Sequence, residues 1–341
     1  MEINLISDTV TKPSPEMLQY MFKAQVGDDV YKQDPTVIEL EAKLAEMFGM
    51  EAGLFFPSGT MANQTAIKLN TNPGDQIIAD KYAHIYNYEG GGASFNSGVS
   101  FCLLEGNRGM INASQVAAAI NNPDFYHSPL TSMVGVENTT NKGGGACYEL
   151  ADLQEIKQVC LNNNLKFHLD GARIWNALVA KNQNPQDFGP IFDTISVCLS
   201  KGLGAPIGSI LLSDAKTIHK ALRIRKIFGG GMRQVGYLAA AGIYALDNNI
   251  NRLVDDHNRA KEIGATLSKL SWIKKVEPIE TNILIFELNN GINESLLIEK
   301  LKSKNITISA MGHGKLRIVT HLDYTQEMHE FVLETLKNLV F

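Results

Sequence analysis

The sequence offers no way to staple itself together. Its four cysteines, Cys102, Cys147, Cys160 and Cys198, form no CxxC pair, and no histidine stands at zinc-finger spacing from two of them. Each fits a small buried apolar residue, and a reducing cytoplasm is the simplest setting. Strong charge of one sign is also missing: 31 basic residues face 36 acidic ones, for a formal net charge of −5. A protein for nucleic acid or an anionic membrane would carry a basic face, so neither is expected as a partner. The amino terminus, Met1-Glu2-Ile3-Asn4, has neither the basic nor the apolar part of a secretory signal. The longest uncharged apolar stretches, 202–212 and 237–246, are too short to span a bilayer. No internal repeat, low-complexity tract or charge run occurs. The expectation is a soluble cytoplasmic protein.

What is present is an ordinary globular composition, 44% hydrophobic and 20% charged, over 341 residues. At roughly 100–200 residues per domain, that length suggests two domains and an ample core. Asp34-Pro35-Thr36 opens a helix with Asp as cap and Pro first, and Val37, Leu40 and Leu44 follow at helical spacing. Residues 53–56, 76–79, 99–104, 132–137, 165–169, 194–199 and 208–212 read as buried strands separated by helices. Apolar runs without alternation indicate a mostly parallel sheet covered on both faces, an α/β architecture. After about residue 250 a polar helix, strands near 283–288 and 316–320, and amphipathic helices read as a smaller α/β domain. The expected organisation is an arm (1–15), a large domain (16–250) and a small C-terminal domain (251–341). Much of the glycine, 29 residues in all, falls in clusters, which mark tight turns or close approach to a ligand.

Three segments carry chemistry. Ser58-Gly59-Thr60 follows a strand and starts a helix, where free N–H groups and the dipole can cradle a phosphate. A simple cap by Ser58 or Thr60 is the commoner use of such residues. Asp170 stands at a strand end two residues after His168, so both point the same way. A metal pair is conceivable there, but no third ligand is evident and Arg173 would repel a cation. A carboxylate at this place suits a protonated ring nitrogen, with His168 structural. Lys201 is the single cation in an apolar, glycine-rich loop after the strand at 194–199. Desolvation there would make it a usable amine for Schiff-base chemistry, unless it snorkels into solvent. Together the three match the needs of pyridoxal phosphate: an anchored phosphate, a protonated ring nitrogen and a lysine for the aldehyde.

The motifs at 5–11 (LISDTVT), 58–63 (SGTMAN), 84–89 (HIYNYE), 137–141 (ENTTN), 169–173 (LDGAR), 199–209 (LSKGLGAPIGS), 229–234 (GGGMRQ) and 316–321 (LRIVTH) resemble those of low-specificity L-threonine aldolases. These are fold-type I pyridoxal phosphate enzymes, shaped like aspartate aminotransferase. The resemblance implies a seven-stranded, mostly parallel large domain, a smaller C-terminal domain, and cleavage of L-threonine or L-allo-threonine to glycine and acetaldehyde. It implies Lys201 as the Schiff-base lysine, Asp170 on the pyridine nitrogen, and Ser58, Gly59 and Thr60 at the phosphate. His84 would stack on the ring, and Arg173, Arg317 and Ser7 would serve the substrate carboxylate. Tyr31, Lys226 and Arg233 would reach the site from a neighbouring subunit, in a dimer at least and a tetramer by family habit. His84 and His127 are the candidate bases, and no metal is expected.

The sequence departs from the family at Thr140, where a histidine is usual, at Leu130, where an arginine is common, and at Ala62 of SGTMAN, where glycine is more frequent. None of these removes a cofactor residue; they bear on the preferred β-substituent. The rivals are a β-eliminating lyase or racemase on the same scaffold, and a catalytically silent cofactor-binding protein. A nicotinamide dehydrogenase lacks its GxGxxG here. Residues 143–145, three successive glycines, have no assigned role.

Overall fold

The computed structural model describes residues 1–341. The chain begins with a two-residue strand, β1 (Ile3–Asn4), whose partner lies near the other end of the sequence. Seven strands then build the main sheet: β2 (Ala52–Phe56), β3 (Gln76–Asp80), β4 (Ser100–Leu104), β5 (Thr131–Glu137), β6 (Lys166–Gly171), β7 (Thr194–Cys198) and β8 (Ser209–Ser213). Their order in space is β2-β8-β7-β6-β5-β3-β4. Every neighbouring pair is parallel except those of β8, which is antiparallel to both β2 and β7. The exception has a simple cause. No crossover helix separates β7 from β8, and a parallel return needs about a dozen residues or more. That short return carries Lys201.

Strands β7 and β8 are buried along their whole length, so they read as unbroken apolar runs. Helix Pro35–Met47 starts as its sequence predicts: Asp34 accepts from the Val37 N–H at 3.2 Å, and Pro35 stands first. Helix Ala215–Ile227 runs close to the glycine-rich motif at 229–234. Burial of Arg225 explains this, because its guanidinium bonds Asp29 at 2.7 Å and the Phe55 carbonyl at 2.6 Å.

The C-terminal part adds β9 (Ile273–Val276), β10 (Ile283–Leu288), β11 (Ile306–Thr307), β12 (Ser309–Gly312) and β13 (Lys315–Val319). Four of them form an antiparallel sheet in the order β12-β13-β10-β9, while β11 pairs with β1 in parallel. Only β10 and β13 are legible in the sequence. The others are edge strands of two to four residues, too short to display an alternation. Ile3 and Leu5 lie in the apolar core of this C-terminal sheet with Leu284, Phe286 and Leu316, separate from the core of the main sheet. The arm is thus packed into the C-terminal core and paired with β11.

The triple glycine joins the two sheets. A Cβ on Gly143 would lie 1.8 Å from the Arg108 carbonyl oxygen, and one on Gly145 would lie 2.2 Å from Thr281 Oγ1. Arg108 donates to the Gly143 carbonyl at 3.0 Å, to the Pro278 carbonyl at 2.8 Å and to Glu280 at 2.6 Å. Gly145 also has a φ of +70°, which L side chains resist. Gly145→Ala is therefore expected to cost about 2 kcal/mol or more, from the strained backbone and the lost close approach. Urea unfolding of the variant beside wild type measures this.

Candidate active site

An open cavity of about 340 Å³ lies at the carboxyl ends of the parallel strands and brings together Ser58, Gly59, Thr60, His84, Asp170 and Lys201. Ligands of open α/β sheets bind at this edge, in pockets of roughly 300–1,000 Å³. Ser58 caps helix Gly59–Asn70, its Oγ accepting from Met61 N–H at 3.2 Å. The cap does not use up the helix end, because the first-turn N–H groups have no intrahelical partner. A Cβ on Gly59 would meet only Ser209 Oγ, at 3.6 Å, so the backbone there stands open to a ligand.

Asp170 ends β6, buried, with Oδ1 accepting from the Ala172 N–H and Oδ2 from Asn63 Nδ2, each at 3.0 Å. His168, two residues earlier, contacts the same Asn63 through Nε2 at 3.1 Å. The shared partner bears out the common facing of His168 and Asp170. Burial pushes the His168 pKa down to about 4, and the ring is neutral. Lys201 makes no salt bridge. Its carbonyl accepts from Thr11 Oγ1 at 2.8 Å and its Nζ lies 3.6 Å from Cys198 Sγ.

His84 opens a short helix, and its ring is held by Glu89, with Nδ1 3.1 Å from Oε1. Its backbone N–H donates to Glu137 at 2.9 Å. Burial alone would lower the His84 pKa. The Glu89 hydrogen bond and the charges of Asp170, Glu89 and Glu137 outweigh that and raise it. Glu137 is pushed up to about 7, by burial first and then by the charge of Asp170 beside it. The ligand atoms of His84, Glu89 and Asp170 lie within 4.8 Å of one another, a grouping able to hold a metal ion. The Asn63 amide nitrogen already satisfies one oxygen on each of the two carboxylates.

Arg173 forms a buried two-pronged pair with Asp8, at 2.8 and 2.6 Å, and Asn282 donates to the same carboxylate at 3.1 Å. Ser7 caps the turn of Asp8 by accepting from the Thr9 N–H at 3.2 Å. Arg317, on β13, donates to Asn141 Oδ1 at 2.6 Å and to the Ile6 carbonyl at 3.0 Å. Its Nε is buried with no partner, which is a donor in want of an acceptor. Burial, then the like charge of Arg173, lowers the Arg317 pKa.

Other residues singled out by sequence lie elsewhere. His127 is exposed on the loop before β5, stacked on Tyr126 with ring centroids 4.1 Å apart. Tyr31 and Arg233 meet on the surface, with the guanidinium 5.9 Å from the ring centroid, and Lys226 is exposed at the end of its helix. None of these four lines the cavity. Thr140 is buried and donates to the Arg108 carbonyl at 2.9 Å, so it serves the glycine turn. Leu130 is half exposed. Asp8, Asn63, Glu89 and Glu137 each stand inside a quoted motif, yet sequence reasoning gave them no role. Their meaning depends on which buried groups they face, and no local spacing encodes that.

The Asp8–Arg173 pair makes a pH prediction. Burial would raise the Asp8 pKa, but Arg173, then Lys201 and Asn282, hold it below the usual 3.8. A lowered carboxyl pKa contributes stability that is complete above about pH 4 and lost as pH falls through the lower folded value. Asp8→Asn leaves the buried guanidinium unpaired, an expected cost of roughly 3–5 kcal/mol. In urea unfolding at pH 7 the variant should show that loss, and its stability should fall less steeply than wild type below pH 4.

The sequence profile of the beta-eliminating lyase family matches residues 4–290. The chain is 40% identical over 326 residues to the low specificity L-threonine aldolase of Escherichia coli K12, covering 95% of each chain. It is 35% identical over 346 residues to the probable low-specificity L-threonine aldolase 2 of Arabidopsis thaliana, covering 99% of this chain and 97% of the relative. Among solved structures, the threonine aldolase of Leishmania major superposes with a TM-score of 0.85 at 21% identity, over 99% of this chain and 100% of that one. The serine palmitoyltransferase of Sphingomonas wittichii superposes at 0.75 and 15% identity, over 98% and 86%. The fold is therefore fold type I. With this likeness running the full length of its relatives, the chain belongs to the beta-eliminating lyase family, among its low-specificity L-threonine aldolases, which depend on pyridoxal phosphate.

Proposed function

We propose that the protein cleaves L-threonine, L-allo-threonine and other L-3-hydroxy-α-amino acids to glycine and the matching aldehyde, with pyridoxal phosphate bound in the cavity around Lys201. One observation carries the reading: the cavity sets an amine without an ion-pair partner, a buried carboxylate and an open helix start around a single space. That donor set fits the cofactor's aldehyde, ring nitrogen and phosphate in turn. No helix of the protein is long and apolar enough to cross a membrane. The four cysteines, all free, agree with a cytoplasmic setting.

When bound, the cofactor supplies a sink for the electron pair left on Cα after the Cα–Cβ bond breaks. Lys201 would hold its aldehyde carbon, Asp170 would keep its ring nitrogen protonated, His84 would contact its ring, and the Gly59 and Thr60 N–H groups with Ser58 would hold its phosphate. Arg317 receives the substrate carboxylate, with which a guanidinium forms a charge-assisted pair. Arg173 and Ser7 stand behind it, both on groups tied to Asp8. Fixing the carboxylate orients the bond to be broken. His84 takes the β-hydroxyl proton. Its Nδ1 is engaged by Glu89, so Nε2 is the atom left to exchange a proton. His127, exposed in the single chain, is the second candidate base.

Tyr31 and Arg233 meet on the surface, Lys226 is exposed, and none of the three lines the cavity of its own chain. This supports a homo-oligomer in which they complete a neighbouring subunit's site, a dimer at least and a tetramer by family habit. The large domain (16–250) would carry the cofactor, and the arm (1–15) and small domain (251–341) the carboxylate grip.

Acetaldehyde release from L-threonine and L-allo-threonine tests the reading. Wild type should release acetaldehyde and glycine, while 2-oxobutanoate and ammonia would instead indicate a β-eliminating lyase. Lys201→Ala should be inactive, and Arg317→Ala should lose roughly 10–100-fold in kcat/KM, the worth of a charge-assisted pair. The rate should rise with pH through a pKa above 6.5, because Glu89, Asp170 and Glu137 raise that of His84 and a base must be unprotonated. That limb should vanish in His84→Gln.

A further inference from the structure

Asn63 sits where three buried groups converge. Its amide nitrogen lies 3.0 Å from Asp170 Oδ2 and 2.9 Å from Glu89 Oε1, and its amide oxygen 3.1 Å from His168 Nε2. Ionised carboxylates can only accept hydrogen bonds, so two of them on one side decide which end of the amide faces them. The amide oxygen is then left to accept from His168, which places that ring's proton on Nε2. Burial keeps His168 neutral with a pKa of about 4, so the ring carries no second proton and Nδ1 must accept. Its partner is Thr194 Oγ1 at 2.9 Å, and the Thr194 hydroxyl in turn accepts from Asn70 Nδ2 at 3.0 Å. The chain from Asn70 through Thr194, His168 and Asn63 has one direction at every link. Reversing any link would set lone pair against lone pair, or an amide oxygen against two carboxylates.

The far end of the chain divides. Glu89 Oε1 also receives His84 Nδ1 at 3.1 Å, and Glu89 Oε2 receives Gln64 Nε2 at 2.6 Å. One amide therefore touches both the carboxylate and, through Glu89, the imidazole of the cavity. We propose that Asn63 is a positioning residue that sets Asp170 and His84 together, with its amide locked against flipping by His168, Thr194 and Asn70. The inference rests on the reading that this cavity binds pyridoxal phosphate, for which Asp170 and His84 are the ring contacts. It makes residues outside the cavity lining, Thr194 and Asn70, determinants of how the ring is held.

Two readouts test it: the histidine 15N spectrum of the apo protein, which reports the His168 tautomer, and titration of apo protein with pyridoxal phosphate followed by its visible band. In wild type the His168 proton should be on Nε2. Asn63→Leu should weaken cofactor binding about tenfold or more and shift the band, since a buried acceptor loses its donor. Thr194→Val should shift the His168 nitrogen signals and weaken binding in the same direction, and Thr194→Ser, which keeps the hydroxyl, should restore both. The valine–serine pair keeps the test sharp should Asn63→Leu fail to fold. A wild-type His168 proton on Nδ1 overturns the chain. So does a Thr194→Val protein with wild-type affinity and band. Failure of wild type to bind the cofactor would instead defeat the functional reading, while the tautomer in the apo protein would still decide the direction of the chain.

Discussion

A carboxylate buried away from water has to be matched by donors fixed in place, and this constraint organises the protein. Glu137 and Asp170 are register partners at the ends of β5 and β6, and Glu89 joins Asp170 through Asn63. Each finds its donors in a different part of the chain: Asn63 and Gln64 from the helix after β2, backbone N–H groups from His84 and Asn141, and the N–H of Ala172. Satisfying three carboxylates therefore forces helix, loop and strand into one arrangement. The cavity walls follow from that arrangement. Concentrated negative charge also raises the basicity of His84, and it would favour a protonated ring nitrogen in the proposed cofactor site.

The substrate side obeys the same rule with the sign reversed. Arg173 is buried and matched by Asp8, whose carboxylate also receives Asn282 from beyond β9. Asp8 lies just after the stretch of the arm that pairs with β11 and packs Ile3 and Leu5 into the C-terminal core. The Ile6 carbonyl of that arm and Asn141 in the turn after β5 together hold Arg317. The proposed grip on a substrate carboxylate would thus need arm, large domain and C-terminal sheet all in place. Arg108 and the three glycines make that junction close enough, and a side chain at Gly145 would press against Thr281 and Ile283 of the C-terminal part.

Much of this was legible in the sequence, for identifiable reasons. The inner strands of the main sheet announce themselves because both faces are covered, so apolar runs need no partner to be read, and the exposed edge strand β4 shows the same apolar composition. Asp34 and Ser58 announce helix starts because capping is a local interaction between a side chain and the next turn. Lys201 and Asp170 stand out as charges in apolar company. What stayed illegible depends on contacts between distant segments. β1 and β11 are two residues each and gain meaning only from pairing across the whole chain. Glu89, Glu137, Asn63 and Asp8 look like surface polar residues until the fold buries them. The glycines at 143–145 look like slack, and the structure makes them the tightest contact between the sheets. Gly59 is the opposite case, since a Cβ there would meet only Ser209 Oγ and the space beside it is left open.

The central claim is that a single cavity holds pyridoxal phosphate on Lys201. Borohydride reduction of the cofactor-loaded protein, followed by digestion and mass spectrometry of the peptides, tests it most directly. The account predicts one phosphopyridoxyl group per chain, on the peptide containing Lys201 and absent when that lysine is replaced. A group found on Lys226 or another surface lysine, or none at all, would contradict it.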